Sequence, residues 1–159
     1  MPLVRIALSS SIVAPIERCF DLSRSIDLNL ASTEGHEKTV AGVTSGLIGL
    51  GQEVTWRGRH FGFAIRHTSR ITAYEFPCYF QDSMVRGLFQ SYCHDHYFEA
   101  CDGATLMKDV VRFAAPYGVS GRVVERLVLA RYIRKLIERR NSYLKSSAES
   151  EQYRKYLRG

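Results

Sequence analysis

The sequence predicts an α+β domain in which a curved antiparallel sheet of six or seven strands closes around one long C-terminal helix, with two short helices after the first strand. Three observations predict it. From Glu37 to Ala115 the chain reads as successive strand-like runs of period two. Beyond the break at Pro116-Tyr117-Gly118, Val119 to Ser147 is almost free of helix breakers, and Val123, Leu127, Ala130, Ile133, Leu136/Ile137 and Leu144 recur at three- and four-residue steps. A helix of that length takes its stability from whatever covers its apolar stripe, and strands are what the chain offers to cover it.

In chain order, Leu3 to Val13 alternates Val4, Ile6 and Leu8 with Arg5, Ala7 and Ser9, as a half-buried strand does. Pro15 suits a first helical turn, and Ile16, Cys19 and Phe20 then share one side. Ser25 is an N-cap candidate for a second short helix carrying Asp27 in its first turn, and Gly35 closes the pair. Glu37 to Thr44 is the next strand. The glycine-rich Ser45 to Gly51 lacks the Gly-Lys-Ser/Thr ending of a phosphate loop and reads as a wide turn at the mouth of the grip. Gln52 to Phe61 and Phe63 to Phe76 follow. Their Arg and Thr residues form one wet face, which an antiparallel sheet tolerates. Tyr79 to Arg86 and Gln90 to Ala100 make a hairpin about Gly87, and Asp102-Gly103 turns the chain into Thr105 to Ala115. Residues 1–147 form a single domain, and 148–159 form a polar tail in which Tyr153, Tyr156 and Leu157 are the apolar exceptions.

Composition narrows the function classes. At 159 residues, 45% hydrophobic and 24% charged, the chain has the makings of one ordinary globular core. No apolar run approaches the ~20 residues of a membrane span, and no signal-peptide core follows Met1, so a cytoplasmic setting is expected. Cys19, Cys78, Cys93 and Cys101 form no CxxC pair and read as reduced thiols, mostly buried. The formal charge of +6 is uneven: from Val119 onward Lys and Arg exceed Asp and Glu by seven, and before it the balance is −1. That basic helix suits weak contact with an anionic surface. It lacks the interleaved aromatics of a single-strand nucleic-acid binder, and nucleic acid is not the expected partner. Neither Gly-x-Ser-x-Gly nor a Cys with a matching His marks a covalent hydrolase.

Strand, two short helices, meandering strands and a long helix is the order of the helix-grip fold. Several stretches carry the same resemblance: Pro15-Ile16-Glu17 with Phe20-Asp21-Leu22, the run Glu53 to Gly62, Thr68-Ser69-Arg70-Ile71-Thr72, Phe80-Gln81-Asp82, Met84 to Phe89, His94-Asp95-His96 with Phe98-Glu99, and Thr105 to Asp109. From Val4 to about Leu144 the chain resembles the START-like (SRPBCC) ligand-binding superfamily, in particular its bacterial polyketide cyclase/dehydrase-like or cell-division-inhibitor-like subgroup. The resemblance implies a hydrophobic small molecule held between sheet and helix, no metal and no cofactor, and leaves turnover open.

Period-two counting adds a polar set to the inner face. His60 shares a side with Trp56; Asp82 with Met84 and Arg86; His94 and His96 with Tyr92 and Phe98; Asp109 with Met107. The expected ligand site therefore has walls of Trp56, Met84, Tyr92, Phe98, Met107, Leu136 and Ile137, and a polar end of His60, Asp82, Arg86, His94, His96 and Asp109. His36 and His67 have no companions in this reading. The same polar end has other possible uses. A His/Asp pair serves proton transfer on a bound carbonyl compound. His94-x-His96 with Asp109 or Asp82 has the composition of a two-His-one-carboxylate metal set. A pocket filled by its own side chains leaves a regulatory module that binds a protein partner. A monomer or homodimer is expected. In this reading Asp109→Leu spares the fold, and Trp at Leu136 or Ile137 fills the cavity.

Overall fold

The computed structural model describes residues 3–116 and 123–158, with the backbone alone at 124 and 125. The expected helix start at Val119 lies outside the described residues. The elements are β1 (Val4–Ile12), α1 (Ile16–Ser23), α2 (Ile26–Ser32), β2 (Glu37–Gly42), β3 (Glu53–His60), β4 (Phe63–Glu75), β5 (Tyr79–Arg86), β6 (Ser91–Cys101), β7 (Ala104–Ala114) and α3 (Val123–Ala148). All strands pair antiparallel in one sheet of order β1-β7-β6-β5-β4-β3-β2. The α1–α2 pair is the excursion that carries the chain from β1, at one edge, to β2, at the other. Among the described residues no helix is long and apolar enough to cross a membrane.

Local chemistry sets the connections. Ser25 caps α2 by accepting from the Leu28 N–H at 3.2 Å. Phe61-Gly62 and Asp102-Gly103 are two-residue hairpin loops with positive φ at both positions, the geometry that matches strand twist. The Ser45–Gly51 segment is not at the mouth of the grip. It is tied to the α1–α2 junction: the Ile26 N–H donates to the Gly46 carbonyl at 2.9 Å, the Gly46 N–H to Asp27 at 2.8 Å, and Ile48 is buried.

Gly42 ends β2 at φ +75, where a Cβ would stand 2.2 Å from the Glu53 carbonyl oxygen. Gly42→Ala is therefore expected to cost about 2–3 kcal/mol, because backbone strain and a clash with backbone add. Gly35→Ala, at φ +84 with nothing within 4 Å, is expected to cost about 1 kcal/mol. Urea unfolding of the two variants checks the difference.

The interior holds two apolar clusters. One gathers Ile12, Cys19, Phe20, Leu22, Ile26, Leu28, Phe80, Phe98, Met107 and Leu144 beneath α1 and α2. Phe20 is its hub, with the rings of Tyr74, Phe76, Phe80 and Phe98 at 5.1–5.4 Å. The other joins Ile6, Val111 and Phe113 to Ile133 and Ile137 of α3. On each contributing element a polar residue separates the two: Asp109 between Met107 and Val111 on β7, His94 and His96 between Tyr92 and Phe98 on β6, Asn141 between Ile137 and Leu144 on α3.

Three expectations need correction. The buried line of α3 is Ile133, Ile137, Asn141, Leu144 and Ala148, while Val123, Leu127 and Leu136 are exposed. The helix turns toward the sheet the face that meets a buried charge, not the most apolar face. The C-terminal segment is docked: Glu151–Lys155 forms a 3-10 turn, the Tyr153 ring lies 3.8 Å from the Arg18 guanidinium, and the Tyr156 and Tyr143 hydroxyls bond at 2.6 Å. All four cysteines are free thiols, but only Cys19 is buried; Cys78 and Cys101 are exposed.

Candidate functional site

β6 presents His94 and His96 on one side because they are two residues apart, and their rings stack at 3.8 Å. The register of β6 with its neighbours sets His94 opposite Asp82 on β5 and His96 opposite Asp109 on β7. Two carboxylates thus flank two imidazoles on the inner face of the sheet. From α3, Arg140 and Asn141 reach the same point.

Asp109 is the hub. Its side chain is 1% exposed. Its Oδ1 accepts from Arg140 Nη2 at 2.7 Å and from His94 Nε2 at 2.7 Å, and its Oδ2 accepts from Asn141 Nδ2 at 2.7 Å. His96 Nδ1 lies 3.2 Å from Oδ1, an ion-pair distance, but off line, so that Nδ1 completes no hydrogen bond. The other nitrogen, His96 Nε2, is 2.7 Å from Asp82 Oδ2. His96 also stacks on Phe80 at 4.1 Å, which fixes its ring plane.

This arrangement separates the titrations. Burial alone would raise the Asp109 carboxyl, but the Arg140 charge, the bond from His94 and the close approach of His96 hold it well below the ordinary range. Asp82 follows the same logic, burial being outweighed by the bond from His96 and the nearby imidazole charge. Burial works against His96 as well, yet its contacts with Asp109 and Asp82 raise it above 6.5. His94 is lowered by burial and by the charge on His96. His96, between two carboxylates, therefore holds a proton more tightly than a free imidazole, and His94 beside it less tightly.

The remaining predicted residues divide. Trp56, Met84 and Tyr92 are half-buried on the inner face beside Asp82. Phe98 and Met107 do not line open space; both are inside the first apolar cluster, where Met107 Sδ accepts from the Ser23 hydroxyl at 3.6 Å. His60 is apart from the cluster, bonded to Tyr132 at 2.6 Å and Glu37 at 3.1 Å. With Phe61, whose ring is 4.5 Å from Tyr132, it clamps the β3 side of the sheet to α3. Arg86 is exposed: the β4–β5 register slips between Thr68 and Ser69, and the added residue on β5 breaks the alternation past Met84. Leu136 is 37% exposed, and Ile137 is packed into the second cluster, where a Trp would overpack the core.

Sequence reasoning missed Arg140, Asn141 and His67. Asn141 had a signal: it interrupts the apolar line four residues after Ile137 and three before Leu144. His67 pairs with Trp56 across β3 and β4, meets Tyr92 edge-on at 5.5 Å, and is lowered by burial. Gly87 makes room for it, since a Cβ there would lie 3.0 Å from His67 Nδ1 and 2.6 Å from Met84 Sδ. Two open depressions lie on the outer face of the sheet, beside Tyr79, Tyr97 and Lys108.

No family model matches the sequence. No curated protein matches it either. Solved structures do share its fold. TTHA0849 from Thermus thermophilus superposes with a TM-score of 0.70 at 13% identity, over 91% of this chain and 99% of its own. The major latex-like protein 151 of Panax ginseng gives 0.66 at 11% identity, over 93% and 99%. Ara h 8.0201 gives 0.62 at 14% identity, over 91% and 99%. The solved neighbours include Bet v 1-like proteins, and what this chain shares with them is the helix-grip fold. At these identities the likeness is one of fold, and a fold does not carry an activity with it.

Proposed function

We propose that this chain binds a small molecule with an apolar body and a hydrogen-bonding end, held between the inner face of the sheet and α3. One observation carries the reading. Trp56, His67, Met84 and Tyr92 point inward yet are only half-buried, and the Asp82 side chain keeps 22% of its surface. Accessible surface on residues that face the interior supports a partly open inner face. Apolar side chains meeting a few fixed polar groups give such space the character of a ligand site. Asp82, partnered by His96 but open on one side, is the acceptor for the ligand's polar end. The motifs from Glu53 to Asp109 support the cyclase/dehydrase-like subgroup, and the four free thiols support a cytoplasmic setting.

A second reading, proton transfer on a bound carbonyl compound, is favoured by the half-open Asp82 bonded to His96 at 2.7 Å. A carboxylate paired with an imidazole at an open edge has the composition of a proton-transfer pair.

The binding reading is tested with anilinonaphthalene sulfonate, a dye that brightens in apolar surroundings. Its uptake should quench Trp56, the one tryptophan, by energy transfer. Met84→Trp should fill the space and weaken uptake at least tenfold, whereas Leu136→Trp, on the outside of the helix, should leave it unchanged. Undiminished uptake in Met84→Trp would remove the inner face as the site.

A further inference from the structure

We propose that Asp82, His94 and His96 form a site for one divalent transition-metal ion, of the zinc, cobalt or ferrous class, with Asp109, Arg140 and Asn141 as its supporting shell. One ligand atom from each of the three residues lies within 4.8 Å of the others. Two imidazoles and one carboxylate are the donor set these borderline ions take. One carboxylate with no carbonyl oxygens is too few hard donors for calcium.

The supporting shell makes this more than a chance grouping. A metal-bound imidazole turns its other ring nitrogen to a carboxylate, which fixes the tautomer and the ring orientation. Here Asp109 does so for His94, and it stands within ion-pair distance of His96. Asp109 Oδ1 is 2.7 Å from His94 Nε2 and 3.2 Å from His96 Nδ1. That leaves the Nδ1 edge of His94 with no hydrogen-bond partner among the described residues, and the Nε2 edge of His96 toward Asp82. Asp109 is itself held by Arg140 and Asn141, each at 2.7 Å. The His96 Nε2–Asp82 Oδ2 contact at 2.7 Å brings two of the three donor groups together. Asp82 is the most open of the three side chains and has room to turn and shorten the spacing.

Three protein ligands leave a fourth position, which on the binding reading opens to the inner face beside Trp56, His67 and Met84. Charge decides what fills it. Asp82 and Asp109 are anionic and Arg140 cationic, so a dication leaves one positive charge in a buried setting. An anionic oxygen, such as hydroxide, a carboxylate or an enolate, cancels it. This fourth ligand rests on the binding reading above; the three-residue ion site does not.

The experiment titrates chelator-stripped protein with Co2+ alone, without organic ligand. One equivalent should bind, with visible absorption of low-coordinate cobalt and hyperfine-shifted ring-proton signals from two histidines. Asp82→Asn, isosteric and at the open edge, should weaken binding at least a hundredfold, and Asn141→Ala about tenfold through the shell. The proposal is overturned by the absence of stoichiometric binding, by shifted signals from other histidines, or by binding that survives Asp82→Asn. The paramagnetic shifts are read in the unmodified chain, so they stand even where a variant folds poorly. Dye uptake without cobalt binding would remove the metal and keep the pocket; cobalt binding without dye uptake would do the reverse.

Discussion

Asp109→Leu is expected to lower the unfolding free energy by about 3–5 kcal/mol, a large share of the ~5–15 kcal/mol a domain holds. The carboxylate is 1% exposed and receives bonds from Arg140, Asn141 and His94. Leucine would leave a largely buried guanidinium and two buried donors without an acceptor, and breaking one side of a buried ion pair costs more than never having had it. With Asp109 taken from sequence as one lining residue among several, the substitution is expected to be harmless to the fold; the network reverses that expectation. Urea midpoints at unchanged slope measure it. Pairing it with Arg140→Leu should restore part of the loss, because the uncompensated charge is gone. A loss under about 1 kcal/mol would mean that Arg140 finds water in place of Asp109.

The second large effect is on pH. In metal-free protein, stability should peak near pH 6.5 and fall on both sides. An unfolded chain protonates its histidines near 6.5. Folded, His67 and His94 titrate below that value and His96 above it. Above about 6.5 the native state holds the extra proton, on His96, so stability falls as pH rises until His96 releases it. Below about 6.5 the unfolded state binds more protons, through His67 and His94, so stability falls as pH drops. Two groups act on the acid side and one on the alkaline side, which makes the acid limb steeper. Each contributes about 1.4 kcal/mol for every pH unit between its folded and unfolded values. Further down, Asp82, Asp95 and Asp109, all lowered in the fold, lose their contribution as pH falls below the unfolded value of about 4. Urea midpoints from about pH 5 to 8 trace the dome, and His96→Gln should remove its alkaline limb. A stability that rises steadily through pH 7.5 would contradict the protonated His96.

The fold was legible because each element announces itself locally. The period-two runs, the Ser25 cap and the Asp102-Gly103 turn each depend on neighbours a few residues apart. The pairing of His94 and His96 was legible for the same reason, since a strand puts residues two apart on one side. What failed needed the third dimension. Arg86 was misplaced because an irregularity in β4–β5 pairing carries no sequence mark. Phe98 and Met107 alternate correctly to the inner face, but α1 lies over that end of it and turns wall into core. Arg140 is one of eleven basic residues in the C-terminal stretch, and nothing in the chain says which of them faces a buried aspartate. His67 was passed over because its companions are on other strands.

The polar seam across β6, β7 and α3 also has a consequence for cooperativity. Apolar area is what makes distant parts of a core open together, and the seam replaces area with a few directional bonds. The molecule is thereby divided into two units of unequal local stability. The unit under α1, α2 and the 3-10 turn carries the larger apolar cluster and is expected to open only with global unfolding. The other, where α3 begins with exposed Val123, Leu127 and Val128 and is held by Ile133 and the Tyr132 clamp, is expected to open first, an order that hydrogen exchange measures. Opening at that one end would bare the inner face while the far end keeps the helix anchored.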